Sequence, residues 1–210
     1  MSSIGVLVNG ASAAGKSRLI RDLGRITTES GVLRDIRIAQ RATTRAAREA
    51  ESLPEENQFL DGEAFYEATQ NGALDVHWQR AISRDHINRY GFSMARELDG
   101  GGVVILSANN YLDWTKQAPL MQLRSEGRLM VVRVCASLET RLARLHARRP
   151  SLTPDEIGSR MADLPHYLLP PADHVVPNDP QFEGSASWEL LRLVTAFRFS
   201  SRTWNHRAAA

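Results

Sequence analysis

The chain has 210 residues, of which 42% are hydrophobic and 24% charged, and this balance indicates one folded globular domain and excludes a disordered or fibrous chain. Its net charge is only +2, with acidic residues mixed among the arginines, so we expect no nucleic-acid partner. A lone cysteine, Cys135, excludes an internal disulfide framework, and no apolar run approaches the roughly 20 residues that cross a bilayer, so we expect a cytoplasmic protein with no membrane partner.

Short apolar runs alternate with helical patterns along the chain, which is typical of βαβ units around a parallel sheet. Strands are predicted at 4–9, within 32–39, and at 103–106, 129–135 and 174–176. Helices are predicted at 15–25, 62–71, 93–99, 111–126, 138–148, 154–164 and 186–198. The pattern predicts an α/β fold with a five-stranded parallel sheet flanked by helices.

One domain is expected to fill residues 1–210, with its core at 1–40 and 93–200. Residues 41–92 interrupt the alternation with polar residues and turns, which predicts an insertion packed at the edge of the sheet. A second segment, 146–155, carries several arginines and looks exposed. Within it, Thr153 followed by proline and two acids predicts the start of a helix.

The segment Gly10–Ser17 reads GASAAGKS and fits the pattern G-x-x-x-x-G-K-[ST] without a mismatch. It lies between a predicted strand and a predicted helix, where small residues let backbone N–H groups approach phosphate oxygens closely. Lys16 would reach the β- and γ-phosphates of a nucleoside triphosphate, and the Ser17 hydroxyl would hold Mg²⁺. A turn of small residues that binds nothing is the alternative. The residues assigned to nucleotide contact are Gly10, Ala11, Ser12, Ala13, Ala14, Gly15, Lys16 and Ser17.

Lysine is rare in this chain. Of 26 basic residues only Lys16 and Lys116 are lysines, so the lysine of the phosphate motif stands out against an arginine background. A second cationic segment, 41–48, places three arginines and two threonine hydroxyls in a short stretch. The planar fork of arginine suits a phosphate dianion, although a solvated basic stretch explains the pattern as well.

With these residues the chain resembles the guanylate kinases. The matching motifs, in order, are Thr43-Thr44-Arg45 with Arg48, the turn 56–59, the helix 61–72 and Tyr90-Gly91-Phe92-Ser93. The stretch 72–79 and His86, four residues before Tyr90, look closer to a sister family, the ribose 1,5-bisphosphate phosphokinases of phosphonate metabolism. The resemblance continues through 142–149, Ile157, Arg160 and Asn178-Asp179, and it covers most of residues 4–195.

The resemblance implies a P-loop NTPase fold and an ATP- and Mg²⁺-dependent kinase whose acceptor is a phosphate group. The favoured reaction converts ribose 1,5-bisphosphate to phosphoribosyl diphosphate. Guanylate or another nucleoside monophosphate, or a specialised metabolite, is the alternative acceptor. A second alternative is a non-catalytic guanylate-kinase-like binding module, but such modules typically lack the loop lysine and lid arginines. A small phosphorylated substrate is the expected partner, and a homodimer is left open.

The resemblance also assigns roles by position. The insertion 41–92 would bind the acceptor, with Arg45, Arg48 and Tyr90 on its phosphate. The segment 146–160 would be a short lid whose arginines, Arg149 and Arg160, act in catalysis together with Lys16.

Three further residues have two readings each. His77 and His86 would line the acceptor pocket or serve a structural role. Asn178 would lie near the adenine or form a turn with the residues that follow it.

The chain departs from the guanylate-kinase pattern where that family reads its base. A carboxylate is expected just before the strand tryptophan, where His77 stands, and another after the strand 103–106, where Ser107-Ala108-Asn109 follows. The tyrosine expected before Phe59 is also missing. These differences count against guanylate.

Two departures concern the phosphokinases and the metal. Residues 80–84 look like an addition to the phosphokinase pattern at the place where the acceptor should lie. No aspartate follows the strand 103–106, so Mg²⁺ would rest on Ser17, phosphates and water.

Overall fold

Continuous apolar runs form the central strands of a parallel sheet in the computed structural model. The structure describes residues 3–31, 33, 35–47, 57–82, 86–148, 150–162, 169–182 and 184–208, the last eight of these by backbone alone. The strands are β1 (Ile4–Gly10), β2 (Ile36–Ile38), β3 (Arg41–Thr43), β4 (Asn57–Phe59), β5 (Val76–Ala81), β6 (Ile87–Phe92), β7 (Val103–Ser107), β8 (Leu129–Cys135) and β9 (His174–Pro177). Five of them form the main sheet, in the order β2-β7-β1-β8-β9, with every neighbouring pair parallel. The predicted fold class is confirmed.

Helices cover the sheet on one face and share the other with a second sheet. They are α1 (Lys16–Ser30), α2 (Gly62–Gln70), α3 (Met94–Leu98), α4 (Ala118–Ser125), α5 (Leu138–Arg148), α6 (Pro154–Met161) and α7 (Ser185–Ala208). Leucines and isoleucines of α1 and α7 form one buried cluster with Val6 and Val8 of β1. Leu7 faces the other way, into a cluster with Leu120 of α4 and Trp78 of β5. The second cluster therefore joins the main sheet to the segment 41–92.

Most predicted helices are confirmed, with shifted ends. The exception is 111–126, which divides into a 3₁₀ turn, Trp114–Lys116, and the shorter α4. Pro119 in the first turn of α4 has no backbone N–H to give to a preceding turn, so the helix begins there. The start of α6 is as predicted, because Thr153 and Glu156 form a reciprocal capping box.

Residues 41–92 contain a second, four-stranded sheet in the order β4-β3-β6-β5. Strand β6 pairs antiparallel with β3 and β5, whereas β3 and β4 are parallel. Hydrogen bonds join this sheet to the carboxyl end of β7: Arg41 Nη1 donates to Ser107 O at 3.2 Å, and Trp78 Nε1 donates to Asn109 Oδ1 at 3.0 Å. The second sheet thus stands over the edge of the main sheet where the phosphate motif lies.

The helices differ in how their apolar residues are used. No helix of the described ranges offers an apolar stretch long enough to cross a membrane. Helix α7 packs through Leu190, Leu193 and Val194, while Trp188 on the same helix is exposed.

Candidate functional site: a phosphate loop facing a cationic second sheet

The loop between β1 and α1 adopts a conformation that depends on small residues. Gly10 and Gly15 have φ angles of 156° and 94°, and Ala13 lies in the left-handed region at 62°. A Cβ atom on Gly10 would collide with the carbonyl oxygen of Val134, and one on Gly15 with the Asn178 amide. Both glycines of the motif are therefore required by backbone angle and by space.

Side chains outside the loop hold its carbonyl groups. Arg141 Nε donates to Ser12 O at 2.9 Å, and Asn178 Nδ2 donates to Ala14 O at 2.8 Å. Arg144 Nη2 in turn donates to Asn178 O at 2.7 Å. These bonds fix the Ser12 and Ala14 carbonyls on the side of the loop away from the ligand, as a loop that binds phosphate through its amides requires. Helix α1 adds to this, since no side chain caps its N-terminus and its first turn has no acidic residue.

The Lys16 ammonium lies inside the curl of the loop. Its Nζ donates to Gly10 O at 2.6 Å and to Ala11 O at 2.9 Å. The pKa of Lys16 is lowered to about 7, first by burial and then by the positive charges of four nearby arginines: Arg41, Arg80, Arg141 and Arg148. Two of these arginines come from the second sheet and two from α5, so both elements add positive charge near Lys16.

Strand alternation gives the second sheet an inner face, directed at the main sheet. Its members are Arg41, Thr43, Asn57, Phe59, Val76, Trp78, Arg80, Asn88, Tyr90 and Phe92. Tyr90 stacks on Trp78 with ring centroids 5.4 Å apart, and the Arg41 guanidinium lies over the Tyr90 ring at 5.4 Å. The inner face therefore presents aromatic rings and guanidinium groups to the phosphate loop.

Of the two arginines predicted to bind the acceptor's phosphate, the structure describes Arg45. Arg45 is buried, with its guanidinium 5.4 Å from the Phe59 ring and Nη1 donating to Ala46 O at 3.0 Å. Since Phe59 pairs with Thr43 in register, Arg45 and Tyr90 belong to the same face. Arg48 lies outside the described residues.

The two histidines separate. His77 follows Val76 and precedes Trp78 on β5, so it lies on the opposite face of the sheet and is exposed. The structure thus places His77 and Tyr90 on opposite faces of the sheet, although both were predicted to bind the acceptor. His86 is exposed just before β6, with Nε2 3.0 Å from Oδ1 of Asn88 on the inner face.

The segment predicted to be a lid contacts the second sheet through α6. Ser159 Oγ donates to Ile82 O at 2.8 Å, and Tyr111 Oη donates to Ala162 O at 3.1 Å. Arg160 is half-buried on this helix. Arg149 lies outside the described residues, and its assigned role stays a prediction.

Sequence reasoning missed a set of buried polar groups around the same edge. Among the described residues, the buried side-chain atoms without a hydrogen-bond partner include both amide atoms of Asn9, Oδ1 of Asn110 and Nε of Arg80 and Arg133. Asn9 pairs with Arg133 in register and lies directly before the phosphate loop. Polar residues inside apolar strands were the signal available in the sequence, because such groups need partners when buried.

Two predicted contacts concern the adenine and the metal ion, through Asn178 and Ser17. The Asn178 side chain is bonded to the loop backbone, so the structure gives it a supporting role, and its contact with adenine stays a prediction. In the described ranges no three carboxylate, histidine or cysteine side chains converge on a metal position. Ser17 lies exposed in the first turn of α1, where its hydroxyl fits the expected role beside a phosphate-bound Mg²⁺.

No protein-family profile matches the chain, and no curated protein sequence does. Solved structures are similar in fold. The crystal structure of guanylate kinase from Anaplasma phagocytophilum has a TM-score of 0.55 and 22% identity, covering 93% of this chain and 88% of that one. The crystal structure of APE1195 has a TM-score of 0.46 at 12% identity, covering 95% and 97%. The chain therefore has the α/β P-loop fold seen in a guanylate kinase.

Proposed function

We propose that the protein is an ATP-dependent phosphotransferase that acts on a small phosphorylated acceptor. The observation that carries this proposal is the Lys16 Nζ atom held in the loop by the carbonyls of Gly10 and Ala11, with arginines of the second sheet and of α5 nearby. A triphosphate on the loop amides would place its terminal phosphoryl group at Lys16. Arg41 and Arg80 would then face a second anion from the opposite side. Two adjoining anion sites are what transfer between two phosphates requires.

The transfer needs little covalent chemistry from the protein. An anionic oxygen of the acceptor phosphate forms a bond to the γ-phosphorus of ATP, and the bond from that phosphorus to the β–γ bridging oxygen breaks. The products are ADP and an acceptor diphosphate. No proton moves, because the attacking oxygen is already ionised, so the cationic side chains act by orienting both phosphates and stabilising charge.

Mg²⁺ fits this site without a carboxylate ligand. When bound, it would neutralise charge on the β- and γ-phosphate oxygens. The exposed Ser17 hydroxyl would contact it, and phosphates and water would be its other ligands. The chain's own contribution is the loop, Lys16 and the arginines.

For the acceptor we propose ribose 1,5-bisphosphate, with guanylate as the alternative. The proposal rests on the motifs that resemble the ribose 1,5-bisphosphate phosphokinases and on the state of the base-reading positions. Asn109 Oδ1 already accepts hydrogen bonds from Trp78 Nε1 at 3.0 Å and from Tyr111 N at 3.0 Å, which satisfies its acceptor capacity. His77 is on the opposite face. Neither group therefore offers the inner face a free acceptor for the N–H groups of guanine, and this supports an acceptor without a purine.

An acceptor screen tests the proposal. Purified protein with Mg²⁺ and ATP is incubated with ribose 1,5-bisphosphate, guanylate, deoxyguanylate and other monophosphates, and products are followed by ³¹P nuclear magnetic resonance. We expect a new diphosphate with ribose 1,5-bisphosphate and none with the Lys16→Ala variant. Turnover by Lys16→Ala at the wild-type rate would refute the assignment of the phosphate loop.

A second variant separates the two sites. Arg45→Ala should lower kcat/KM for the acceptor by about tenfold or more, since it removes a charged hydrogen-bonding group, and leave the Kd for ATP unchanged. A change confined to ATP affinity would mean that the sites are reversed. If no acceptor is used although ATP binds, the binding-module alternative replaces the kinase.

A further inference from the structure

Arg80 lies near the end of β5 and is the first residue of the segment 80–84, the addition to the phosphokinase pattern. Its side chain is only 7% exposed and lies on the inner face, beside Trp78 in strand alternation and opposite Asn88 in register. Fully buried arginines are rare unless they are paired, so the position calls for partners.

Two of its contacts reach beyond the second sheet. Arg80 Nη2 donates to the carbonyl of Ser159 on α6 at 3.0 Å, and the guanidinium lies 5.1 Å from the Tyr111 ring centroid. Because Ser159 Oγ donates back to Ile82 O, α6 and the end of β5 are tied by two hydrogen bonds in opposite directions. Arg80 is thus a direct connection between the inner face and the helix that carries Arg160.

The third side of the guanidinium is unsatisfied. Arg80 Nε is buried without a hydrogen-bond partner in the described chain. Within the described ranges no carboxylate contacts Arg80, and its charge adds to that of Arg41 in lowering the pKa of Lys16. A buried guanidinium that faces other cations, with one donor unpaired, is suited to an anion.

We propose that Arg80 is a substrate-contacting residue that binds the acceptor's phosphate through Nε and at the same time holds α6 through Nη2. This inference rests on the proposed function for the identity of the anion. Its consequence is a coupling: when the acceptor's phosphate fixes the guanidinium plane, the hydrogen bond to Ser159 is fixed as well, and α6 is held against the second sheet. Binding of the acceptor would therefore stabilise the contact between α6 and the second sheet that the structure already contains.

Hydrogen exchange of α6 amides tests the coupling without turnover. The full chain is saturated with Mg²⁺ and a non-hydrolysable ATP analogue, so that the phosphate loop is occupied, and inorganic phosphate is then titrated as the probe. In wild type, we expect phosphate to slow exchange at residues 155–162 by about fivefold, the effect of fixing one hydrogen bond. The dissociation constant of phosphate is obtained from the same titration.

Two variants and a control complete the experiment. Arg80→Ala should lose the effect of phosphate on α6. Arg80→Lys keeps the charge but lacks the fork, and it should weaken phosphate binding by about tenfold and also uncouple α6. Arg89→Lys, on the outer face of the adjacent strand and exposed, should behave as wild type. Thermal unfolding checks that each variant is folded.

The outcomes separate this inference from the proposed function. If wild type fails to bind phosphate, or if Arg80→Lys binds it with unchanged affinity and coupling, the inference is overturned. If the coupling is present but no acceptor is phosphorylated in the screen, the catalytic proposal fails while the anion site at Arg80 stands. If an acceptor is phosphorylated but phosphate does not change hydrogen exchange in α6, the proposed kinase activity is retained and the proposed role of Arg80 is refuted.

Discussion

The side-chain amide of Asn178 is bonded to the carbonyl of Ala14 at 2.8 Å, across 164 residues of sequence. This contact links the segment after β9 to the phosphate loop from the side away from the ligand. Arg144 bonds the Asn178 carbonyl and so belongs to the same support. The shape of the loop therefore depends on residues that need not touch the nucleotide at all.

Asn178→Ala should weaken ATP binding by about tenfold, because one buried hydrogen bond is lost and the Ala14 carbonyl is left without its partner. Isothermal titration calorimetry with the non-hydrolysable analogue measures the effect. Asp179→Asn is the matched control, since Asp179 bonds Ser137 and not the loop. Equal losses in both variants would contradict the supporting role.

Gly15→Ala should disrupt the phosphate loop and weaken ATP binding, whereas Gly24→Ala, inside α1, should do neither. At Gly15 the φ angle of 94° and the adjacent Asn178 amide both oppose a Cβ atom. A Cβ on Gly24 meets nothing within 4 Å, so alanine there should raise the free energy of unfolding by about 1 kcal/mol through helix propensity. Chemical denaturation and ATP affinity are the two measurements. An unchanged ATP affinity in Gly15→Ala would contradict the geometry of the loop.

Binding of ATP near pH 8 should take up close to one proton at Lys16. The pKa of Lys16 is lowered to about 7 by burial and by neighbouring arginines, so much of the amine is neutral there, and a bound polyphosphate restores the charged form. Binding enthalpies measured in buffers of different ionisation enthalpy report the uptake. It should vanish near pH 5.5, where the amine is already protonated, and in Lys16→Met.

The same shift affects stability. Because the unfolded chain keeps the lysine proton up to its ordinary pKa of 10.5, the free energy of unfolding from this group rises as the pH increases from about 7 to 10.5. Lys16→Met should lack this rise. A wild-type protein with the same pH dependence as the variant would show that the pKa is not lowered.

Asn9→Leu should make the protein more stable and less active. The Asn9 side chain is 1% exposed and both its amide atoms lack partners, so an apolar side chain of similar size removes a desolvation penalty of about 1–3 kcal/mol. If those atoms serve the acceptor, kcat/KM for the acceptor falls while ATP affinity is kept. Urea denaturation and steady-state kinetics measure the two effects, and a loss of stability would contradict the assignment of Asn9 as unpartnered.

The main sheet was predictable because its strands are long and apolar. Runs such as 103–106 and 129–135 are buried on both faces, and their composition alone indicates a parallel sheet. The phosphate loop was predictable because its chemistry requires a fixed spacing. Both features depend on local sequence.

The second sheet could not be assembled in the same way. Strands β3 and β4 have three residues each, too few for a periodicity, and their parallel pairing joins residues 16 positions apart. Strand alternation would have corrected the prediction for His77, because a residue next to Trp78 in a strand must lie on the other face of the sheet. Arg80 was missed because a contact to Ser159, 79 residues later, has no local signal.

The scarcity of lysine gives the site a chemical handle. Apart from the α-amino group, amine-directed acylating reagents can modify only Lys16 and Lys116, and Lys116 Nζ lies 2.9 Å from a carboxylate oxygen of Asp113. Only a neutral amine is nucleophilic, so at neutral pH the lowered pKa directs such labels to the phosphate loop. Mass spectrometry of one peptide would then report, in a crude mixture, whether the loop is protected by a bound metabolite.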